Sequence, residues 1–199
     1  MAGFKFRYFI VLITALASAC WVLIVASGYR MDRVSSFLEP FKDPFGGGYQ
    51  LANSQIAIGQ GGWLGVGLGE SIQKLGYLPQ AYTDFIFAII AEELGMIGVL
   101  LVVGIYGLMV WRIFFISLEA IKNNRVFQGY LSFSIGIWIT AQVMIHIGVN
   151  YGALPTKGLI LPLISYGSSS MIMTLITLAV VLRIGCENPR TKVNKKISD

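Results

Sequence analysis

Phe85-Ile86-Phe87-Ala88-Ile89-Ile90-Ala91-Glu92-Glu93-Leu94-Gly95-Met96-Ile97-Gly98-Val99-Leu100-Leu101-Val102-Val103-Gly104-Ile105-Tyr106-Gly107-Leu108-Met109-Val110-Trp111 carries only two charged residues, both near its start. A helix crosses the hydrocarbon of a bilayer with about 20 largely apolar residues, and this run exceeds that length. Residues 9–26, 131–149 and 159–182 qualify by the same measure. Apolar residues make up 55% of the chain, charged residues 13%, and mean hydropathy is +0.70. That balance excludes an ordinary soluble globule. The expected fold is an all-α integral membrane protein with four transmembrane helices. A long extracytoplasmic loop, residues 29–83, joins the first two, and residues 183–199 form a basic tail.

Lys5 and Arg7 ahead of an apolar stretch, with Ala17-Ser18-Ala19-Cys20 inside it, resemble a secretory signal. Trp21-Val22-Leu23-Ile24-Val25-Ala26 prolongs the run past that point, which suits an uncleaved spanning helix. The basic residues set the orientation. Lys5 and Arg7 precede span one, Arg112, Lys122 and Arg125 separate spans two and three, and five more follow span four, so both termini are expected in the cytoplasm. The basic tail satisfies this rule and meets anionic lipid, and nucleic acid is a poor partner for it. Cys20 in the first span and Cys186 past the last are expected as free thiols. With one histidine and no cysteine pair at ligand spacing, the sequence carries no metal-binding motif.

Just ahead of the long run stands Tyr82-Thr83-Asp84-Phe85. A charge drawn toward hydrocarbon costs about 3 kcal/mol unless it is paired, hydrated or used, which makes Asp84 the first functional candidate. Its alternative is a plain acid at a helix N-terminus, favoured by the dipole. With the helix starting at Thr83 or Asp84, rotation of about 100° per residue puts Glu92 within about 80° of Asp84 and about 12 Å along the axis. That separation is too large for a pair of carboxylates acting on one bond. Glu92 is expected to line the cavity or serve structure, and Glu93 to pair with another helix.

The outer loop carries the turn cluster Asp43-Pro44-Phe45-Gly46-Gly47-Gly48-Tyr49-Gln50, a possible short helix over 51–58, and the run Gly59-Gln60-Gly61-Gly62-Trp63-Leu64-Gly65-Val66-Gly67-Leu68-Gly69. That run has two readings, a phosphate cradle or close backbone approach in a re-entrant loop, and it lacks the lysine and hydroxyl of a P-loop. Gln142, His146 and Asn150 recur at i, i+4 and i+8, a polar stripe that binds another helix or lines a cavity. Lys157, in the turn Leu154-Pro155-Thr156-Lys157-Gly158, lies on the same side as Asp84, where it neutralises an anion or snorkels to the interface. Helix four opens with Pro162 and Ser165-Tyr166-Gly167-Ser168-Ser169-Ser170, small residues suited to packing and to local breaks in the helix. A nucleophilic Ser165 or Ser169 would need a neighbouring base, and none is visible.

Read in order, Asp43-Pro44, Gly48-Tyr49-Gln50, the glycine run, Tyr77-Leu78-Pro79, Thr83-Asp84-Phe85-Ile86-Phe87-Ala88, Glu92-Glu93-Leu94-Gly95, Leu154-Pro155-Thr156-Lys157-Gly158 and Leu161-Pro162-Leu163-Ile164-Ser165-Tyr166-Gly167 resemble the SEDS family, the FtsW/RodA/SpoVE proteins. The lysine-bearing turn resembles the cell-division branch. Departures from the pattern stand at Asn53, Gly76, Gln80, Tyr82, His146 and Ser168.

The resemblance implies a ten-helix fold of which this chain matches the last four helices. It also implies a peptidoglycan glycosyltransferase of the inner membrane, working at the division septum. The substrates implied are lipid II and the nascent glycan strand, and the partners a class B penicillin-binding transpeptidase and other divisome proteins. Asp84 matches the catalytic aspartate, with Lys157, Lys74, Gln50, Glu92 and Gln142 as substrate-binding candidates and magnesium or manganese as a possible cofactor. Two rival expectations are a lipid II flippase and a non-catalytic fragment or interaction subunit.

Overall fold

The structure, a computed structural model, describes residues 10, 11, 13–16, 18, 37–42, 46 and 48–187. The chain divides into two compact units, Met1–Ala52 and Asn53–Asp199. In the first, residues 10, 11, 13–16 and 18 are helical, and Lys42 pairs with Glu39 in a turn. The rest of the expected first span lies outside the described residues, as do Cys20 and residues 188–199 of the tail.

Helix α1 (Tyr49–Gly61) begins in the first unit and ends in the second. The second unit continues with a 3-10 turn (Gln73–Leu75) and three helices, α2 (Ile86–Lys122), α3 (Val126–Asn150) and α4 (Ser168–Glu187). These three are long and apolar enough to cross a membrane, and no strand occurs among the described residues. The fold is all-α.

A short turn joins α2 to α3, and the two run antiparallel with glycines at their contact. A Cβ at Gly129 would strike Ile121, and one at Gly136 would sit 2.9 Å from Phe114. Close approach of this kind gains dispersion contacts, the main attraction between helices when the surroundings are as apolar as the side chains. The Ser117 hydroxyl donates to the Gly129 carbonyl at 2.8 Å near the turn. The core between the helices holds Phe87, Val99, Ile113, Ile139, Leu161 and Val181. At the α2–α3 turn end, Arg125 meets Glu187 of α4 at 3.4 Å.

Helix α2 breaks at Gly95, whose φ of 66° and ψ of −164° are not helical. In an unbroken helix the N–H groups of Met96 and Ile97 would bond the carbonyls of Glu92 and Glu93. The glycine run takes their place. Met96 and Ile97 donate to the carbonyls of Gly62 and Trp63 at 3.0 and 3.4 Å, while Val66 and Gly67 donate to those of Glu92 and Glu93 at 3.0 and 3.1 Å. A Cβ at Gly65 would strike the Glu93 carbonyl, and one at Gly95 would strike Trp63 and Gly65. Of the two readings of the glycines, the structure adopts close backbone approach, with the loop wedged into the helix and every freed group satisfied.

Two expected helix boundaries are corrected. The second span was expected from residue 85, with the helix starting at Thr83 or Asp84, through 111. Instead, Thr83 and Asp84 both donate from their backbone N–H to the Gln80 carbonyl at 3.1 Å, a turn that delays α2 until Ile86, and the helix then continues to Lys122. The fourth span was expected from residue 159, yet residues 158–167 are non-helical and α4 begins at Ser168. Pro162 lacks the N–H a continuing helix needs. Side chains from outside the segment satisfy it instead: Leu159 and Ile160 carbonyls bond His146 and Gln142, and the Pro162 carbonyl accepts from the Tyr106 hydroxyl.

Candidate functional site

The start of α2 and the Leu154–Gly158 turn come together around Asp84. The Asp84 side chain is half-buried and makes no hydrogen bond or ion pair among the described residues. A Cβ built on Gly158 would lie 3.2 Å from its Oδ2, so the turn bearing Lys157 passes directly over the carboxylate. Glycine leaves that oxygen room. The Lys157 side chain is exposed and unpaired among the described residues.

The Asp84 backbone, in contrast, is fully engaged. Its carbonyl accepts from Asn150 Nδ2 at 3.2 Å, and Asn150 Oδ1 accepts the Ala88 N–H at 3.1 Å. Phe85 at the N-cap offers no side-chain bond, so the amide from α3 caps α2. Asn150 is 0% exposed and also donates to the His146 carbonyl at 2.8 Å, while its own carbonyl accepts from Ser54 at 3.0 Å. The polar stripe of α3 is thus a scaffold. His146 Nδ1 donates to the Leu159 carbonyl at 2.6 Å and Gln142 Nε2 to that of Ile160 at 3.0 Å, which holds the non-helical segment after Gly158. His146 Nε2 and Gln142 Oε1 are buried without partners among the described residues.

The two other acids of the α2 start hold the outer loop. Glu92, 0% exposed, accepts from the Ser71 hydroxyl and from the Ile72 N–H at 3.0 Å. Asp84 precedes α2, so helical arithmetic does not set its angle to Glu92, whose carboxylate is taken up by the outer loop. Glu93 pairs with Lys74 at 2.6 Å, both side chains less than one-fifth exposed. Its partner is the loop, where another helix was expected. Lys74 also borders a cavity of about 280 Å³ with Gln80, Tyr82, Thr83 and Tyr166. A larger apolar cavity of about 650 Å³ lies beside it, lined by Tyr82, Ile86, Ile164, Tyr166 and Met171. Gln50 stands in the first turn of α1, within the first unit.

Among the described residues no three His, Cys, Asp or Glu side chains gather as metal ligands. Magnesium and manganese call for several oxygen ligands, and these residues bring Asp84 no second carboxylate. The donor set present does not make a magnesium or manganese site by itself.

Sequence reasoning singled out Asp84 and Lys157 as candidates, while it gave Asn150 helix contact or cavity lining and Ser165 a packing role. An asparagine in the last turn of a buried helix, opposite a helix start with no capping side chain, was the available signal.

Comparison with known proteins places these features. A family model for FtsW/RodA/SpoVE, described as cell cycle protein, matches residues 1–189. The chain is 49% identical over 184 residues to "Probable peptidoglycan glycosyltransferase FtsW" of Thioalkalivibrio sulfidiphilus, covering 92% of this chain and 46% of that protein. It is 45% identical over 199 residues to the protein of the same name from Hydrogenovibrio crunogenus, covering 100% and 51%. A solved chain from work on the structural coordination of polymerization and crosslinking by a peptidoglycan synthase complex superposes with a TM-score of 0.66 at 31% identity, covering 92% of this chain and 49% of that one. The chain therefore spans about half the length of these relatives. With its helices, its wedged loop and its Asp84 turn inside the matched residues, the chain belongs to the FtsW/RodA/SpoVE family.

Proposed function

We propose that this chain forms the C-terminal part of a peptidoglycan glycosyltransferase that polymerises lipid II for septal wall synthesis, with Asp84 as general base. The observation that carries the reading is the half-buried Asp84 carboxylate beneath the Lys157–Gly158 turn, which makes no hydrogen bond or ion pair among the described residues. A base must reach the attacking hydroxyl within hydrogen-bonding distance, and a carboxylate not hydrogen-bonded by the described residues is available to do so. Asp84 takes the proton from the C4 hydroxyl of the acceptor GlcNAc. That oxygen attacks C1 of the donor MurNAc with inversion, and the C1–O bond to undecaprenyl pyrophosphate breaks as the pyrophosphate leaves with the electron pair. Lys157 offsets the charge that grows on the leaving group. Lys74 is a weaker candidate for that part, because Glu93 already neutralises it.

In this reading the protein sits in the inner membrane with both ends in the cytoplasm and Asp84 on the outer side. Six further helices and a class B penicillin-binding transpeptidase complete the working assembly. A divalent cation would need its ligands from the pyrophosphate and from that completing half, since the described residues gather no set for it.

The test is reconstitution with labelled lipid II. The chain is joined to the N-terminal helices of a relative, in the presence of the transpeptidase. Polymer is expected, and Asp84→Asn lowers its rate by about 100- to 10,000-fold, the usual worth of a positioned base. Polymer that survives Asp84→Asn overturns the assignment. Translocation of lipid II without polymer would identify a flippase, and no activity in the completed bundle a non-catalytic subunit.

A further inference from the structure

Three consecutive carbonyls lead into α2, and each is taken by a different donor. Tyr82 accepts from the Tyr166 N–H at 2.9 Å, Thr83 from the Ser165 hydroxyl at 2.6 Å, and Asp84 from Asn150 Nδ2 at 3.2 Å. Ser165 is 4% exposed, and its oxygen also accepts the Leu161 N–H at 2.7 Å. A hydroxyl has one proton, and this one is committed to Thr83, which removes Ser165 from the list of nucleophiles. The side chain instead joins the non-helical segment after Gly158 to the residue before Asp84. That same segment passes over the Asp84 carboxylate at Gly158. One hydroxyl therefore ties both walls of the site together.

We infer that Ser165 is a positioning residue for Asp84, with Asn150 holding the same backbone from the α3 side. The inference rests on the reading of Asp84 as the base. Ser165 fixes the backbone before Asp84 and Asn150 fixes it after, so the carboxylate lies against Gly158 with no hydrogen bond of its own among the described residues. Loss of either tie lets the peptide turn and moves the carboxylate by a fraction of its own length. A misplacement of about 1 Å costs roughly 100-fold in rate.

The experiment measures kcat and KM for lipid II in the completed bundle with its transpeptidase. Ser165→Ala is expected to lower kcat about 10- to 100-fold with KM changed less than about twofold, the signature of an interaction that matters in the transition state. Ser165→Thr, which keeps the hydroxyl, restores most of the rate. Asn150→Ala gives the same split from the other side. Thermal unfolding in detergent corrects each rate for the folded fraction. A loss that vanishes after that correction, or one that appears in KM, overturns the inference. So does a full kcat for Ser165→Ala where Asp84→Asn abolishes turnover, in which case the base assignment stands alone. If Asp84→Asn itself keeps turnover, both readings fall together.

Discussion

At the scale of single residues, the site is defined by which polar groups are engaged and which are left open. Glu92, Glu93 and Lys74 all bond one another's neighbourhoods, with Lys74 and Glu93 at 2.6 Å, whereas Asp84 and Lys157 keep their side chains free among the described residues. Charges held in place by protein are poor at meeting a new partner, and open ones are not. Lys157→Ala is accordingly expected to lower polymerisation by about 100-fold, similar to removal of one group that stabilises developing negative charge. Lys157→Arg should recover a substantial part of that loss. Lipid II turnover in the completed bundle measures both, and an Ala variant at the parent rate would remove Lys157 from the reaction.

At the scale of elements, the decisive feature is a transmembrane helix interrupted by its own upstream loop. Both halves of the exchange need glycine, Gly95 for its φ of 66° with extended ψ and Gly65 for its φ of 79° and its contact with the Glu93 carbonyl. The Gly95 conformation is essentially closed to other residues and costs them about 1–3 kcal/mol before any clash is counted. Gly95→Ala is therefore expected to destabilise the protein by at least about 2 kcal/mol. Gly104, nine residues on in the same helix, has open space where its Cβ would go, and Gly104→Ala should leave stability unchanged or raise it by up to about 1 kcal/mol through helix propensity. Equilibrium unfolding in mixed detergent compares the two, and equal effects would refute the wedge as a stabilising device. The glycine run was legible as a place of close approach. Its partner was not, because Gly95 sits inside an apolar helical pattern and nothing local marks it as the receiving gap.

At the scale of the whole molecule, α3 separates two ends with different chemistry. Its 25 residues span about 37 Å, more than the hydrocarbon thickness, from Arg125 beside Glu187 to Asn150 beside Asp84. The exposed thiol of Cys186 lies one residue from Glu187, at the Arg125 end. In the proposed orientation, with Cys20→Ser to leave one native thiol, a membrane-impermeant maleimide should label Lys157→Cys in intact spheroplasts and leave Cys186 untouched until the membrane is opened. Labelling of Cys186 from outside would invert the topology, put Asp84 on the cytoplasmic face and overturn the proposed orientation.

The sequence alone determined the all-α class, the helices α1 to α4 in outline, the family, and Asp84 and Lys157 as candidates. Hydrophobic length and side-chain type are local properties, and they survive without knowledge of the fold. Only the tertiary structure decided that α2 starts after Asp84, that residues 158–167 stay unwound, and that Asn150 and Ser165 grip the backbone on either side of Asp84. Those outcomes depend on donors and acceptors 62 to 82 residues apart in the chain finding one another. A backbone group freed from a helix must be bonded somewhere in a membrane protein, and which group answers it is settled only when the helices pack.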